Sequence, residues 1–201
     1  MDLPYIILLH QARYSRGEYR EIAPKLVNMG YNCLAVDLRS GGEVNGIVNK
    51  TAILATAKGV PVEYFNALPD VEGAIGYIKS KSNKPFVLWG SSYSASLALL
   101  AGAKDLRVRA VVAFSPGEYF DQPDFVSSKI SKLSVPILAL SSKAECQSVR
   151  ELLAGVKQNL VTYYCPSDSG QHGAKALWQS NPSSGDYWMA ITMFFSRLNN
   201  N

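Results

Sequence analysis

PFVLWGSSYSASLALL, residues 85–100, joins an apolar, strand-like run to an apolar, helix-like run with almost nothing between them. At the join stand Gly90, Ser91, Ser92, Ser94 and Ser96. A strand that turns sharply into a helix can hold its turn residue in a strained conformation, with the side chain raised above the sheet. The residues two positions away on either side must then be small. That frame puts Ser92 at the turn, Gly90 before it and Ser94 after it. Centring it on Ser91 would put Trp89 in a small-residue slot, and centring it on Ser94 would leave two serines and no glycine. Taken alone, the hydroxyls are equally well read as a cap on the helix start, which is the commoner use of serine there.

The partners of a nucleophile are more informative. A serine needs a base, normally histidine, oriented by a carboxylate. The chain has two histidines. His10 ends the first strand and reads as a structural residue hydrogen-bonded within the loop that follows. His172 lies in SDSGQHGAK, after the last strand and before the last helix. The order serine, acid, histidine along the chain selects His172. Between them, the loop KAECQSV after the strand VPILALSS offers Glu145 as the acid. Glu118, Asp121 and Asp168 are its rivals, and a first-turn helix carboxylate favoured by the dipole is its bland reading. Two backbone N–H groups would complete such a site as an oxyanion hole, one from Tyr93 after the nucleophile and one from Ala12 in the HQA loop after the first strand.

Elsewhere, short apolar runs alternate with amphipathic stretches, the pattern of a parallel sheet covered by helices on both faces. Six strands are expected, at residues 5–10, 31–38, 85–90, 108–116, 135–142 and 160–166. Helices are expected near 19–29, 67–81, 93–103, 148–158 and 187–198. RSGGEVNG (39–46) reads as a glycine-rich loop, and residues 47–65 as a helical turn or a surface insertion. Gly73 and Gly76 weaken their helix intrinsically, and close packing on the sheet is the expected reason. Residues 117–134 are too few for a cap domain. An open site follows, walled by the loops after the second and fourth strands, with Tyr119, Phe120 and Trp178 as candidate liners.

Bulk properties exclude several classes. With 201 residues, 47% of them hydrophobic, one α/β domain spanning 1–201 is the expectation. The net charge of +4 is scattered. The densest basic group, Arg13, Arg16 and Arg20, is interrupted by Glu18 and Glu21 and reads as solvated charge, not a nucleic-acid groove. No apolar run approaches the roughly 18 to 20 residues of a membrane span. The opening apolar run lacks the flanks of a signal segment and reads as a strand. A cytoplasmic location is the working expectation, an upstream signal segment the alternative. Cys33, Cys146 and Cys165 have no metal-ligand spacing, so neither metal nor cofactor is expected. Cys146 and Cys165 could meet in space, but free thiols are expected. Oligomeric state is not legible.

The ordered set LLHQA, AVDLRSGG, LPDVEGAI, WGSSYSAS, SPGEY, VPILALSSKAE and SGQHG resembles the α/β-hydrolase fold. Within that fold it looks like the dienelactone-hydrolase-like branch of small, lidless hydrolases. The resemblance runs from Tyr5 over nearly the whole chain. It implies a hydrolase of a small-molecule ester, working through an acyl-enzyme on Ser92 with Glu145 and His172. A non-catalytic ligand-binding member, or a hydrolase of thioesters, lactones or amides, is the alternative. Three departures stand out. The antiparallel strands that usually precede the first parallel strand are absent from the sequence. Serine stands where dienelactone hydrolases proper use cysteine, and Glu145 stands where aspartate is usual.

Overall fold

The computed structural model describes residues 3–200. Six parallel strands form the sheet: β1 (Tyr5–Leu9), β2 (Asn32–Val36), β5 (Phe86–Ser91), β6 (Val108–Phe114), β7 (Ile137–Leu140) and β8 (Val161–Tyr164), in the order β2-β1-β5-β6-β7-β8. A two-stranded antiparallel hairpin, β3 (Glu43–Val44) and β4 (Ile47–Val48), lies apart from it. The chain moves outward from β1 to β2 and then returns to the other side of β1 with β5. Such a reversal opens a crevice at the carboxyl ends of the strands, where open α/β sheets bind ligands.

The central strands are largely apolar because they are covered on both faces. Every residue of β5 is buried. On one face pack α3 (Leu68–Lys81), α4 (Tyr93–Gly102), α5 (Phe125–Ile130) and α6 (Cys146–Leu152); on the other pack α1 (Ile22–Asn28) and α7 (Ser184–Asn200). All ten residues of α4 are buried, so this helix has no solvent-facing polar stripe. Burial of Leu97, Leu99 and Leu100 stabilises the α4 contact with the sheet by about 1.5–3 kcal/mol each.

Several elements differ from the sequence expectation. The helix expected over 19–29 is split into a 3-10 turn, Arg16–Tyr19, and α1. Ser15 starts that turn early by accepting the Gly17 N–H at 3.0 Å, and Pro24 sits in the first turn of α1, where its missing N–H costs nothing. RSGGEVNG is largely the β3–β4 hairpin, closed by Asn45-Gly46 with φ of 54° and 72°. An Asn-Gly pair suits the two positive φ values of such a turn. Residues 47–65 hold β4, then α2 (Lys50–Ala57), whose N-cap Asn49 accepts the Ala52 N–H at 2.8 Å, and the start of a 3-10 turn, Tyr64–Ala67. Gly73 and Gly76 are not packed on the sheet: a Cβ at either would meet nothing within 4 Å. Nothing in the structure explains them. Residues 117–134 carry only the six-residue α5. Among the described residues, no helix is long and apolar enough to cross a membrane.

Candidate active site

Ser92 falls between the end of β5 and the start of α4, with φ 59° and ψ −127°. A side chain at positive φ is strained, and local hydrogen bonds hold this one: Ser92 N–H to Phe114 O at 2.8 Å and Ala95 N–H to Ser92 O at 2.9 Å. The turn is so tight that a Cβ on Gly90 would fall 2.4 Å from the Ser94 carbonyl oxygen. Ser94, in the second small slot, has a use a glycine could not serve. Its hydroxyl lies 2.7 Å from Leu9 O and accepts the Ser91 N–H at 3.0 Å, fastening the end of β1 to the elbow.

The histidine loop brings His172 Nε2 to 2.8 Å from Ser92 Oγ. On the other side, His172 Nδ1 hydrogen-bonds Glu145 Oε1. Glu145 both meets His172 and caps its own turn. Oε2 closes a capping box, accepting the Ser142 N–H at 2.9 Å and the Ser142 hydroxyl at 2.7 Å, and also takes the Ser115 hydroxyl at 2.8 Å. That leaves Oε1 for the imidazole. Burial alone would push the carboxyl pKa up; the hydrogen bonds from His172, Ser142 and Ser115 outweigh it and hold the pKa at about 2. Of the rival acids, Glu118 accepts the Val126 and Ser127 N–H groups at the start of α5. Asp168 bonds within its own loop, to Gly170 N and the Ser183 hydroxyl. Asp121 lies on the rim of a neighbouring cleft.

The loop after β1 explains why Ala12, not Gln11, is free to donate. The Gln11 N–H is taken at 2.7 Å by Glu18 Oε2, whereas among the described residues the Ala12 and Tyr93 N–H groups meet no acceptor. His10 is buried and structural. Its Nδ1 faces Gln11 O at 2.8 Å, and its Nε2 accepts the Leu38 N–H at 2.9 Å. Desolvation holds its pKa below the usual value, against the raising effect of the Gln11 carbonyl.

Glu18 was not legible as a site residue. It is fully buried, and its Oε1 accepts the Ser91 hydroxyl at 2.7 Å. Ser91 Oγ in turn accepts the Ala174 N–H at 2.8 Å. One carboxyl thus joins the β1 loop, the elbow and the histidine loop. Burial raises its pKa to about 7, despite hydrogen bonds from Ser91 and Gln11 that lower it. In the sequence it is one acid among five nearby charges, with no pattern that marks it as internal. Gly173 belongs to the same junction: its φ is +74°, and a Cβ there would lie 2.2 Å from Gln11 Oε1.

Cys146 and Cys165 are not free thiols. They form a disulfide with Cα atoms 5.8 Å apart. Spacing in the sequence could not reveal it, because the pairing depends on β7 and β8 being neighbours. The bond ties the residue after Glu145 to the chain leaving β8 toward His172. Cys33 is free, half-buried, and its thiol is pushed up to about 11 by burial.

Tyr119 and Phe120 line a cleft of about 700 Å³ together with Tyr64 and Phe65 from the 3-10 turn before α3. Trp178 does not line it. Its ring stacks on Tyr14 at 6.0 Å, and its Nε1 donates to Glu18 O at 2.8 Å.

Set beside known proteins, residues 2–165 match the family model described as the dienelactone hydrolase family. The match ends before the His172 loop. No curated protein matches the chain significantly. Among solved structures, an esterase from Pyrococcus furiosus superposes with a TM-score of 0.71 at 18% identity, covering 96% of this chain and 80% of that one. A dienelactone hydrolase from Anabaena variabilis gives 0.67 at 16%, covering 96% and 84%. A monoacylglycerol lipase from Paleococcus ferrophilus gives 0.67 at 12%, with both chains covered completely. At these identities the likeness is one of fold.

Proposed function

Since the chain belongs to the dienelactone hydrolase family, we propose that it is a serine hydrolase of a small carboxylic ester, working through an acyl-enzyme on Ser92. The observation that carries this reading is the line Ser92 Oγ, His172 Nε2 (2.8 Å), His172 Nδ1, Glu145 Oε1 at a strained elbow. Ser92 Oγ attacks the ester carbonyl while His172 Nε2 takes its proton. Glu145 holds the imidazole and offsets the positive charge that develops on it. The oxyanion of the tetrahedral intermediate is stabilised by the Ala12 and Tyr93 N–H groups. His172 then protonates the departing alkoxide, and the same histidine activates the water that releases the acid. The chemistry extends in principle to thioesters, lactones and amides; the alternative, a non-catalytic ligand-binding role, has no use for this line of groups.

The test is labelling with a fluorophosphonate probe, followed by mapping of the modified residue and assay of Ser92→Ala. Labelling at Ser92, and a loss of at least about 10⁴-fold in kcat in the folded variant, are expected. Labelling at Ser91 or Ser94, or full activity in Ser92→Ala, would overturn the assignment.

A further inference from the structure

The aromatic cleft beside Ser92 has a composition that restricts what can enter it. Tyr64 stacks on Tyr93, the residue after the elbow serine, with ring centroids 4.7 Å apart. Across the cleft, the Tyr119 hydroxyl donates to Ser115 O at 2.8 Å, and the Ser115 hydroxyl donates in turn to Glu145 Oε2 at 2.8 Å. Two of the cleft's lining residues thus touch neighbours of the site, Tyr64 on Tyr93 and Tyr119 on Ser115, which sets the cleft beside Ser92. Its walls are stiff: Phe65 meets Phe120 at 5.3 Å and Phe125 at 5.1 Å, and Phe120 meets Phe125 at 5.6 Å, all edge to face. Yet Tyr64 and Phe65 keep 39% and 41% of their surface exposed, so ring surface is left for another molecule to cover.

The charged residues of the cleft are acidic. Glu63 and Asp121 stand at its rim, and among the described residues no lysine, arginine or histidine lines it. Glu63 is held by the Asn66 amide at 2.5 Å, a neutral partner that leaves its charge uncompensated. A carboxylate-bearing substrate would meet like charge on entry, whereas a neutral or cationic one would not.

From these features, and resting on the hydrolase reading above, we infer that the substrate is an ester carrying an uncharged or cationic aryl group, which this cleft holds, and that esters bearing a carboxylate on that group are rejected. Flat rings set against aromatic walls bind more tightly than saturated rings of equal area, by roughly 2- to 10-fold.

The experiment compares kcat/KM for methyl 3-phenylpropanoate, methyl 3-cyclohexylpropanoate and methyl 3-(4-carboxyphenyl)propanoate. A parallel series places the same rings on the alcohol of an acetate ester. The expected result, in at least one series, is a several-fold preference for phenyl over cyclohexyl and about tenfold discrimination against the carboxylate. Phe65→Leu with Phe120→Leu should reduce the ring preference. Glu63→Gln with Asp121→Asn should shrink the gap between neutral and carboxylated esters. Equal rates for the phenyl and cyclohexyl esters in both series, or ready turnover of the carboxylated ones, would overturn the inference and leave the hydrolase reading intact. A protein that hydrolyses no ester and takes no label at Ser92 would overturn the hydrolase reading instead. The cleft is then judged by calorimetric binding of 3-phenylpropanamide against 3-cyclohexylpropanamide, equal affinities counting against it.

Discussion

At the residue scale the two glutamates of the site behave in opposite ways. Glu145 has four hydrogen-bond donors around it and an imidazole to hold. Glu145→Gln keeps the shape but places an NH₂ or a neutral oxygen against His172 Nδ1. The expected outcome is a loss of about 10³- to 10⁴-fold in kcat, whereas Asp168→Asn, confined to its own loop, should leave kcat within a few-fold; steady-state kinetics of the two variants decides between them. Glu18 is buried, and among the described residues no lysine or arginine forms an ion pair with it. Its folded pKa, about 7, lies above the ordinary carboxyl value, so the native state holds the proton more tightly than the unfolded chain. The stability this contributes is complete below about pH 4.5 and is lost as pH rises through about 7. A shift of that size corresponds to about 3 kcal/mol. Glu145 has the contrary sign: its contribution is present above about pH 4.5 and lost as pH falls toward its folded value of about 2. Urea unfolding at pH 5 and pH 8 should therefore show a fall in stability in the wild type that is reduced in Glu18→Gln. Parallel pH dependence in the two proteins would show that Glu18 does not titrate in this range.

At the element scale, α3 carries two glycines on exposed turns with open space around them. A glycine in a helix interior is less favourable than alanine by about 1 kcal/mol, largely through the freedom it loses on folding. Gly73→Ala and Gly76→Ala should each stabilise the protein by about 0.5–1 kcal/mol, visible as a rise in Tm of roughly 1–4 °C. No rise in either variant would mean that this stretch of α3 is frayed in solution. The central strands and α4 were legible as unbroken runs of buried residues, and α3 and α7 through the period that one buried helical stripe leaves in the sequence. The hairpin and α2 were not. Strands of two residues have no period to read, and α2 turns Ile53 and Leu54 outward, 56% and 59% exposed, which erases the contrast between its faces.

For the whole molecule, the Cys146–Cys165 disulfide closes a loop of sequence separation 19 and ties the acid-bearing turn to the approach to His172. Protein isolated without reductant and then denatured should show one reactive thiol, from Cys33, and three after reduction. Cys146→Ser with Cys165→Ser should cost about 3 kcal/mol of stability, the chain-entropy value for a loop of this length. Three thiols before reduction would mean that the two cysteines are unpaired in solution.

The sequence by itself determined the six strands of the sheet and its main helices, and the sharp join at Ser92, and it singled out His172 and Glu145 as candidates. Each of these is written in local patterns: runs of buried residues, small neighbours around a turn, and the succession of loops along the chain. Tertiary structure alone decided which distant loops touch. Glu18 and Ser91, 73 positions apart, form one junction only because β1 and β5 are neighbours. The disulfide likewise requires β7 beside β8, and the aromatic cleft draws its walls from two loops separated by more than fifty residues. Charge and aromaticity are visible in a sequence; whether a carboxyl is buried or a ring faces open space depends on what folds over it.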